Sequence, residues 1–449
     1  MQSSTVLATF ENMSENVIIV AYTTIYRKGG ELFPVVAHTL VNEKLQSGFD
    51  GNIISRAVES KRELLQIFSD IRAQGQKIVE FHFVGHSGMY GPMFGTVAFP
   101  EQFSPFEWET TEIPFSERAS AYFHCCRSAR WFAPYFSRTF NIKTYGFFWY
   151  TTFSRSKTHY RYAGKATVGD KLYTIGCKGR KSHGLAASLV KFSGLMPAEE
   201  MAAFQPMLPE GDTSYDKVSD LYDRAFADIR VRQDEWDWIN KHLPAQSGLK
   251  VLDIGCGNGA LLDALSPGIE FGAGVDESEA MLERARKRIG GKPNLQFSGI
   301  SSPALPFEDG TFDVAISLMS FRYLDWDPLL KEIRRVVKPG GILLIVDMVT
   351  VPVKTGELPQ LIKDKIRTAF YQKANATFAE NMRRLVNHPD WKLMLKYNPI
   401  RSEHEMKWYL ESRFPGRKME ILNLGWNARI VAFDSGAVEL AVDAKLSYP

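Results

Sequence analysis

The sequence predicts an α/β protein with two domains. Its 449 residues exceed what one core usually organises. Strand-like apolar runs alternate with helix-like runs in both halves, a pattern typical of parallel sheets with helices on their faces. Between the halves, a segment rich in Pro, Gly and acids interrupts the apolar pattern. We therefore expect a first domain at residues 1–193, a linker at 194–213 and a second domain at 214–449.

The composition is that of a globular protein. Hydrophobic residues make up 45% and charged residues 23% of the chain, and no run approaches the roughly 20 apolar residues of a membrane span. The N-terminus lacks the basic-then-apolar pattern of a secretory signal, so we expect a cytoplasmic protein with reduced cysteines. The four cysteines form no CxxC pair, and we predict no metal site. A net charge of +3 is too small to indicate a nucleic-acid partner.

The first domain consists of strand-like runs separated by helical patterns. The strand-like runs are NVIIVAYTTI (16–25), KIVEFHFVG (77–85), ASAYFHCC (119–126) and IKTYGFFWYTTF (142–153), and helical spacing occurs at 57–74 and 127–140. The connection at 91–120 is long and rich in Phe and Trp. Such a loop either lines a site or packs across the sheet.

The second domain begins with a helical pattern at 219–243, followed by the strand KVLDIG at 250–255. Strands and helices then alternate as far as GGILLIVDMV at 340–349. A helical segment at 357–413 precedes two further strand-like runs, MEILNLGW and ARIVAFD. This order predicts a Rossmann-like sheet with a helical insertion.

A glycine-rich turn after the first strand of this domain is the most specific signal in the sequence. The strand ends in Asp253, and Gly255, Gly257 and Gly259 follow before a helix. Glycines let backbone amides approach a ligand closely. The next strand, FGAGVD, ends in Asp276, where a carboxylate can accept both hydroxyls of a ribose. The pattern predicts a nucleoside-binding loop.

This ordered set, with LPFEDGTFDVAISL and RRVVKPGGILLIVD after it, resembles the class I S-adenosylmethionine-dependent methyltransferases. The resemblance is to the ubiquinone and menaquinone biosynthesis type (methyltransferase domain type 11) and covers about residues 213–350. It implies S-adenosylmethionine as cofactor, with the glycine loop around the methionine part, Asp253 orienting that part and Asp276 holding the ribose. It places Met281 near the adenine and Ser301 where the family usually has an acid for the adenine amino group. A degenerate fold that binds nothing is the alternative.

The sequence is less specific about the residues that face the methyl acceptor than about those that bind the cofactor. A sulfonium methyl group is already activated, so the enzyme chiefly has to align a small-molecule acceptor and exclude water. After the fourth strand, Tyr323, Arg322 and Asp325 are candidates to face the acceptor, and packing is an equal alternative for each. The insertion at 359–397 is either a lid over the acceptor or ordinary helical packing.

In the first domain, His86 and the pair Cys125–Cys126 each follow a predicted strand. If those strands are parallel neighbours, both side chains emerge at the same sheet edge. A histidine near a thiol can take its proton and create a nucleophile. The pattern predicts Cys126 as a reactive thiol, His86 as its base and Cys125 as a packed neighbour.

The motifs FVGHSG and CCRSA resemble those of the caspase, metacaspase and CHAT group of cysteine peptidases, over about residues 15–155. The resemblance implies a caspase-like α/β sandwich. The sequence departs from the motifs at Ser87, at Ala129 and at His124, which stands where metacaspases carry an acid that recognises a basic substrate residue. The domain is thus either an active peptidase or a binding platform. A third alternative, Ser87 as a nucleophile, lacks the glycine that its motif needs two residues later.

We therefore expect an S-adenosylmethionine-dependent methyltransferase that acts on a small molecule. In this interpretation the caspase-like domain is accessory or regulatory and can hold a protein partner. One alternative is a cysteine peptidase that uses Cys126 and His86, with the methyltransferase domain sensing the cofactor. Another is a non-enzymatic scaffold.

Overall fold

The protein is described by a computed structural model that covers residues 15–24, 29–96, 98–177, 189, 193, 196–209, 211 and 214–438. The chain forms two compact units, Met1–Leu208 and Pro209–Pro449. This boundary falls inside the segment that the sequence predicts as a linker. Within the described residues, no helix has both the length and the apolar character that crossing a membrane requires.

The first unit is built around a mostly parallel sheet. Its strands in chain order are β1 (Asn16–Tyr22), β2 (Asn52–Ala57), β3 (Lys77–Val84), β4 (His86–Gly88), β5 (Gly91–Gly95), β6 (Pro100–Gln102), β7 (Phe115–His124), β8 (Lys143–Gly146), β9 (Thr151–Ser154), β10 (Tyr173–Gly176) and β11 (Ala202–Phe204). The central sheet has the order β11-β8-β7-β3-β1-β2, and only β11 among these runs antiparallel to its neighbour. The strands β4-β5-β6 and β9-β10 form two small antiparallel sheets.

Helices pack on this sheet because their apolar residues recur at helical spacing. They are α1 (Phe33–Gln46), α2 (Lys61–Ala73), α3 (Pro105–Glu109) and α4 (Phe132–Phe140). Ser60 caps α2 by accepting the backbone N–H of Glu63 at 3.2 Å. Trp108 and Phe103, from the long aromatic connection, are buried in the core with Phe136 of α4. Of the two alternatives for the long connection, these aromatic residues therefore follow the second and pack across the sheet.

The run at 142–153 and the predicted linker are two of the segments of the first unit that differ from the predicted elements. The run at 142–153 divides into β8 and β9, which belong to different sheets. The strand β11 lies within the predicted linker and pairs with β8 through Ala202–Gly146 and Phe204–Thr144. The short apolar run Ala-Ala-Phe completes the edge of the sheet, whereas Pro and Gly nearby gave the segment the composition of a linker.

The second unit contains a sheet with one reversed edge. Its strands are β12 (Lys250–Ile254), β13 (Phe271–Asp276), β14 (Leu295–Gly299), β15 (Phe312–Leu318), β16 (Val337–Thr350), β17 (Glu420–Leu424) and β18 (Ala428–Ala437). Their order is β14-β13-β12-β15-β16-β18-β17. The strands from β14 to β16 are parallel, and β18 is antiparallel to both β16 and β17. The carboxyl ends of β12, β13 and β15 therefore lie side by side at one edge.

Helices surround this sheet and continue into the helical insertion. They are α5 (Ser219–Ala225), α6 (Gln233–His242), α7 (Ala260–Leu265), α8 (Glu279–Ile289), α9 (Trp326–Val336), α10 (Leu358–Ala374), α11 (Ala376–Asn387), α12 (Pro389–Tyr397) and α13 (Glu403–Arg413). The predicted helical pattern at 219–243 divides into α5 and α6. A 3-10 turn, Ile229–Val231, separates them, and the Asp228 side chain caps it by accepting the N–H of Arg230 at 3.0 Å.

Candidate functional site

The glycine turn begins where β12 ends, and Gly255 has the left-handed φ of 72°. A Cβ atom at this position would lie 2.4 Å from the Cβ of Ser320. Ser320 approaches this closely because its hydroxyl donates to the carbonyl oxygen of Ile254 at 2.6 Å. Gly255 therefore brings the end of β12 against the loop after β15, and no other residue fits there.

Asp276 is fixed at the end of β13 by backbone N–H donors. The N–H of Gly257 donates to Oδ2 at 2.8 Å, and the N–H of Ser278 donates to Oδ1 at 2.9 Å. Burial raises the pKa of the Asp276 carboxyl above its usual value, and these donors oppose the rise. Since a carboxylate has about four acceptor sites, both oxygens can still accept hydroxyl groups of a ligand.

A cavity of about 290 Å³ opens beside this carboxylate. Five of the residues that the sequence predicts for a site line it: Gly255, Gly257, Asp276, Met281 and Tyr323. The remaining predicted cofactor residues, Asp253, Gly259 and Ser301, do not belong to its wall as the described residues define it.

Asp253 lies behind the wall and is 2% exposed. Burial raises the pKa of its carboxyl to about 8, and the charge of Asp276 adds to the rise. Its Oδ1 atom has no hydrogen-bond partner among the described residues. A buried acceptor without a donor is costly, and such a group commonly marks a place where a ligand or water donates.

Gly259 and Ser301 lie outside the cavity wall, although the sequence predicts both as cofactor-binding residues. A Cβ atom at Gly259 would lie 2.9 Å from Ala285 and from Phe297, so this glycine allows helices α7 and α8 and strand β14 to pack closely. Ser301 is exposed, and its neighbour Ile300 forms the cavity wall. Both residues occur at the spacing of the motif. The elements packed against each residue nevertheless determine whether it reaches the cavity.

An aromatic wall, which apart from Tyr323 the sequence did not reveal, also lines the cavity and consists of Tyr215, Tyr222 and Tyr323. Tyr215 lies at its centre, with ring centroids 5.9 Å from Tyr222, 6.2 Å from Tyr323 and 6.0 Å from Trp391. Burial raises the pKa of Tyr215 well above its usual value, so the phenol stays protonated and can donate. Asn398, just after α12, also lines the cavity. These residues come from three segments far apart in the sequence.

Of the three candidates after β15, one lines the cavity and two do not. Tyr323 lines the cavity. Arg322 is buried and forms an ion pair with Asp347 on β16, while its guanidinium lies 4.4 Å from the Tyr323 ring centroid. Arg322 therefore supports Tyr323 from behind. Asp325 precedes helix α9 and is not part of the cavity wall among the described residues.

In the first unit, the strands β3 and β7 are parallel neighbours, with Val84 opposite His124. His86 and Cys126 each lie two residues beyond this pair, so both residues follow strand ends at the same edge of the sheet. The Cys126 thiol is partly exposed and lies 3.3 Å from the N–H of Thr151 and 3.2 Å from its hydroxyl. Burial raises the pKa of Cys125 to about 12, consistent with a packed thiol. The Ser87 hydroxyl donates to the carbonyl oxygen of Cys126.

The face of this sheet next to Cys126 carries a chain of hydrogen bonds. His124 Nε2 lies 3.1 Å from His82 Nδ1, and His82 Nε2 lies 2.9 Å from Glu80. Burial lowers the pKa of both imidazoles, so His124 is neutral at pH 7. A neutral imidazole provides no charge for a basic substrate residue, and the structure gives no support to a Lys- or Arg-specific peptidase.

Comparison with known proteins finds a family match for part of the second unit. Residues 252–345 match the model of a family described as methyltransferase domain. A demethylmenaquinone methyltransferase of Clavibacter sepedonicus is 34% identical over 142 residues, which are 31% of this chain and 58% of that protein. The same enzyme of Lysinibacillus sphaericus is 33% identical over 140 residues, which are 30% of this chain and 59% of that protein.

Among solved structures, an S-adenosylmethionine-dependent methyltransferase of Mesorhizobium loti is 28% identical, with a TM-score of 0.25. That similarity covers 26% of this chain and 53% of the other. The chain spans less than two thirds of the length of the curated relatives described above. The family match lies in the second unit, and the resemblance of the first unit to the caspase group stays a prediction. The match bears out the predicted resemblance of the second unit to a methyltransferase domain.

Proposed function

We propose that the protein transfers a methyl group from S-adenosylmethionine to a small molecule held against the aromatic wall. One observation carries the proposal. Among the described residues, one cavity is lined both by the Gly255–Gly257 turn with Asp276 and by the aromatic side chains of Tyr215 and Tyr323. Cofactor and acceptor must lie next to each other for methyl transfer, and this cavity combines a nucleoside-binding turn with aromatic side chains.

The residues present fit the cofactor. Gly255 and Gly257 line the cavity, and the nearest atom to a Cβ at Gly257 would be the Met281 Cε at 3.4 Å, so the backbone of the turn can come close to a ligand. Asp276 offers two anchored oxygens for a ribose, and Met281 offers an apolar surface for a base. The unpartnered Oδ1 of Asp253 lies behind the turn, where it can accept a hydrogen bond that orients the methionine part of the cofactor.

The chain itself then has a limited chemical task. When bound, the cofactor supplies an activated methyl group. Tyr215 and Tyr323 hold a flat acceptor by ring contact and can orient it through their hydroxyls. The aromatic wall also excludes water from the cavity.

The aromatic wall and Leu324 favour an acceptor with a flat, largely apolar part. The names of the curated relatives point the same way, since demethylmenaquinone is their stated acceptor. We propose a small metabolite of this chemical kind and no nucleic-acid substrate.

Two measurements test this function. The first incubates the protein with methyl-labelled S-adenosylmethionine and host-cell extract, and then separates small molecules from macromolecules. We expect label in the small-molecule fraction, whereas label confined to protein or nucleic acid would overturn the acceptor class. The second compares cofactor binding by calorimetry in the native protein, Asp276→Ala and the control Asp237→Ala.

We expect Asp276→Ala to weaken binding about ten-fold or more, because charge-assisted hydrogen bonds to the ribose are lost. Asp237 is exposed on α6, so its replacement should leave binding unchanged. Equal affinities for all three proteins would remove Asp276 from the ribose role.

For the first unit we propose a caspase-like accessory or regulatory domain that can hold a protein partner. The adjacency of β3 and β7 supports the resemblance, because it brings the ends that carry His86 and Cys126 to one edge. The peptidase alternative is not favoured by the family match, which falls in the second unit. We also propose a cytoplasmic location, since all four cysteines are free thiols.

A further inference from the structure

Helix α10 carries a row of exposed apolar side chains, which we name the apolar row: Ile362, Ile366 and Phe370. Their side chains are 59%, 53% and 71% exposed. A spacing of four residues places them on one face of the helix. A run of this kind normally faces a core, because large apolar side chains rarely stand in line in water.

The opposite face of α10 fixes the orientation of the helix. Asp364 is 3% exposed and accepts the N–H of Leu424 on β17 at 3.0 Å. Arg367 makes two hydrogen bonds to Asp234 on α6, at 2.9 and 2.7 Å. Tyr371 donates to the carbonyl oxygen of Val231 at 2.9 Å. The helix therefore cannot turn the apolar row inward without breaking these contacts.

The charges around the apolar row have one sign. Lys363, Lys365 and Lys373 are exposed on the same helix. Between 358 and 374 the only acid in the sequence is Asp364, which is buried against β17. The exposed face of α10 thus combines apolar side chains with cations and has no acid.

We propose that α10 docks on the surface of an anionic lipid bilayer. Apolar side chains with flanking lysines are the combination that lies in the interface of such a membrane, since lysine stems extend along the apolar zone while their ammonium groups reach the headgroups. The row is straight and no hydrogen-bonding side chain interrupts it, which suits a fluid surface better than a specific protein partner. The helix belongs to the insertion whose last helix, α12, contacts the aromatic wall of the cavity, so docking would bring the cavity close to molecules dissolved in the bilayer.

The test measures vesicle binding and needs no methyl transfer. The full chain is sedimented with vesicles of phosphatidylglycerol and phosphatidylcholine, and with vesicles of phosphatidylcholine alone. The row variant replaces Ile362, Ile366 and Phe370 by Ser. The charge variant replaces the three lysines by Glu, and it keeps the apolar row intact should the serine variant unfold. The matched control replaces Leu45, Tyr162 and Val168, which are exposed to a similar extent, by Ser.

We expect the native chain and the control to bind the anionic vesicles at least ten-fold more strongly than the neutral ones. We expect each of the other two variants to lose at least ten-fold in binding to the anionic vesicles. Absence of native binding, equal binding to both vesicle types, or native-like binding of the row variant would each overturn the proposal. A native dimer that the row variant dissociates would also overturn it and assign the row to a second copy. Because cofactor binding is measured separately, failure here leaves the proposed methyl transfer standing.

Discussion

The buried carboxyl of Asp253 makes the stability of the second unit depend on pH. Its pKa is about 8 in the folded protein and 3.8 as an ordinary aspartate. The folded state therefore holds a proton that the unfolded state has already released at neutral pH. A group of this kind contributes stability at low pH that is lost as the pH rises from about 4 towards 8.

The size of this loss follows from the pKa difference. Each pH unit between the two pKa values changes the free energy of unfolding by about 1.4 kcal/mol. From pH 5 to pH 8, Asp253 should cost the native protein about 4 kcal/mol. In Asp253→Asn the group cannot ionise, so this part of the pH dependence should disappear even if the amide lowers the stability at every pH.

Urea unfolding at the two pH values provides the measurement. The free energy of unfolding of the native protein should fall by several kcal/mol more between pH 5 and pH 8 than that of Asp253→Asn. The variant Asp237→Asn, exposed on α6, should keep the native pH dependence. If the Asp253 variant and the native protein showed the same pH dependence, the carboxyl would be ionised in the fold and our account of its environment would be wrong.

Three further outcomes can be checked on the same protein. Gly255→Ala should lower the free energy of unfolding by more than 2 kcal/mol in urea titrations, because its Cβ would lie 2.4 Å from the Cβ of Ser320. Gly290→Ala should cost only about 1 kcal/mol, since a Cβ there would meet nothing within 4 Å and only its φ of 57° is strained; equal losses would contradict the collision. Iodoacetamide should label Cys126 much faster than the buried Cys125, as read by mass spectrometry of the native protein, and equal rates would remove Cys126 as a reactive thiol. Tyr323→Phe should lower kcat/KM for the acceptor about ten-fold or less and leave the affinity for the cofactor unchanged; a loss of cofactor affinity instead would place Tyr323 on the wrong side of the cavity.

Features that depend on a short stretch of chain could be predicted from the sequence. The turn at 255–257 and the carboxylate of Asp276 lie where the motif places them, because strand, glycine turn and helix specify this geometry locally. The parallel pairing of β3 and β7 could also be predicted, since both are apolar runs joined by a long connection. Local patterns of this kind predict structure because they do not depend on contacts with distant parts of the chain.

The role of each glycine could not be read from spacing alone. Gly255 and Gly259 have the same φ of 72°, yet one approaches the cavity wall and the other allows helix packing. The difference comes from Ser320 in the first case and from Ala285 and Phe297 in the second. Those contacts are made by side chains from other elements, and no pattern within the turn contains them.

Part of the cavity lining lies outside the segment that the family match covers. The family match covers 252–345 and includes the turn, Asp276 and Tyr323. Tyr215 precedes the match, and Trp391 and Asn398 follow it. Because the lining residues Tyr215 and Asn398 lie outside the match, we propose that parts of the chain that the match does not include contribute to the choice of acceptor. Two proteins can thus share the matched segment and the cofactor and still methylate different molecules, so the acceptor has to be sought through the flanking segments.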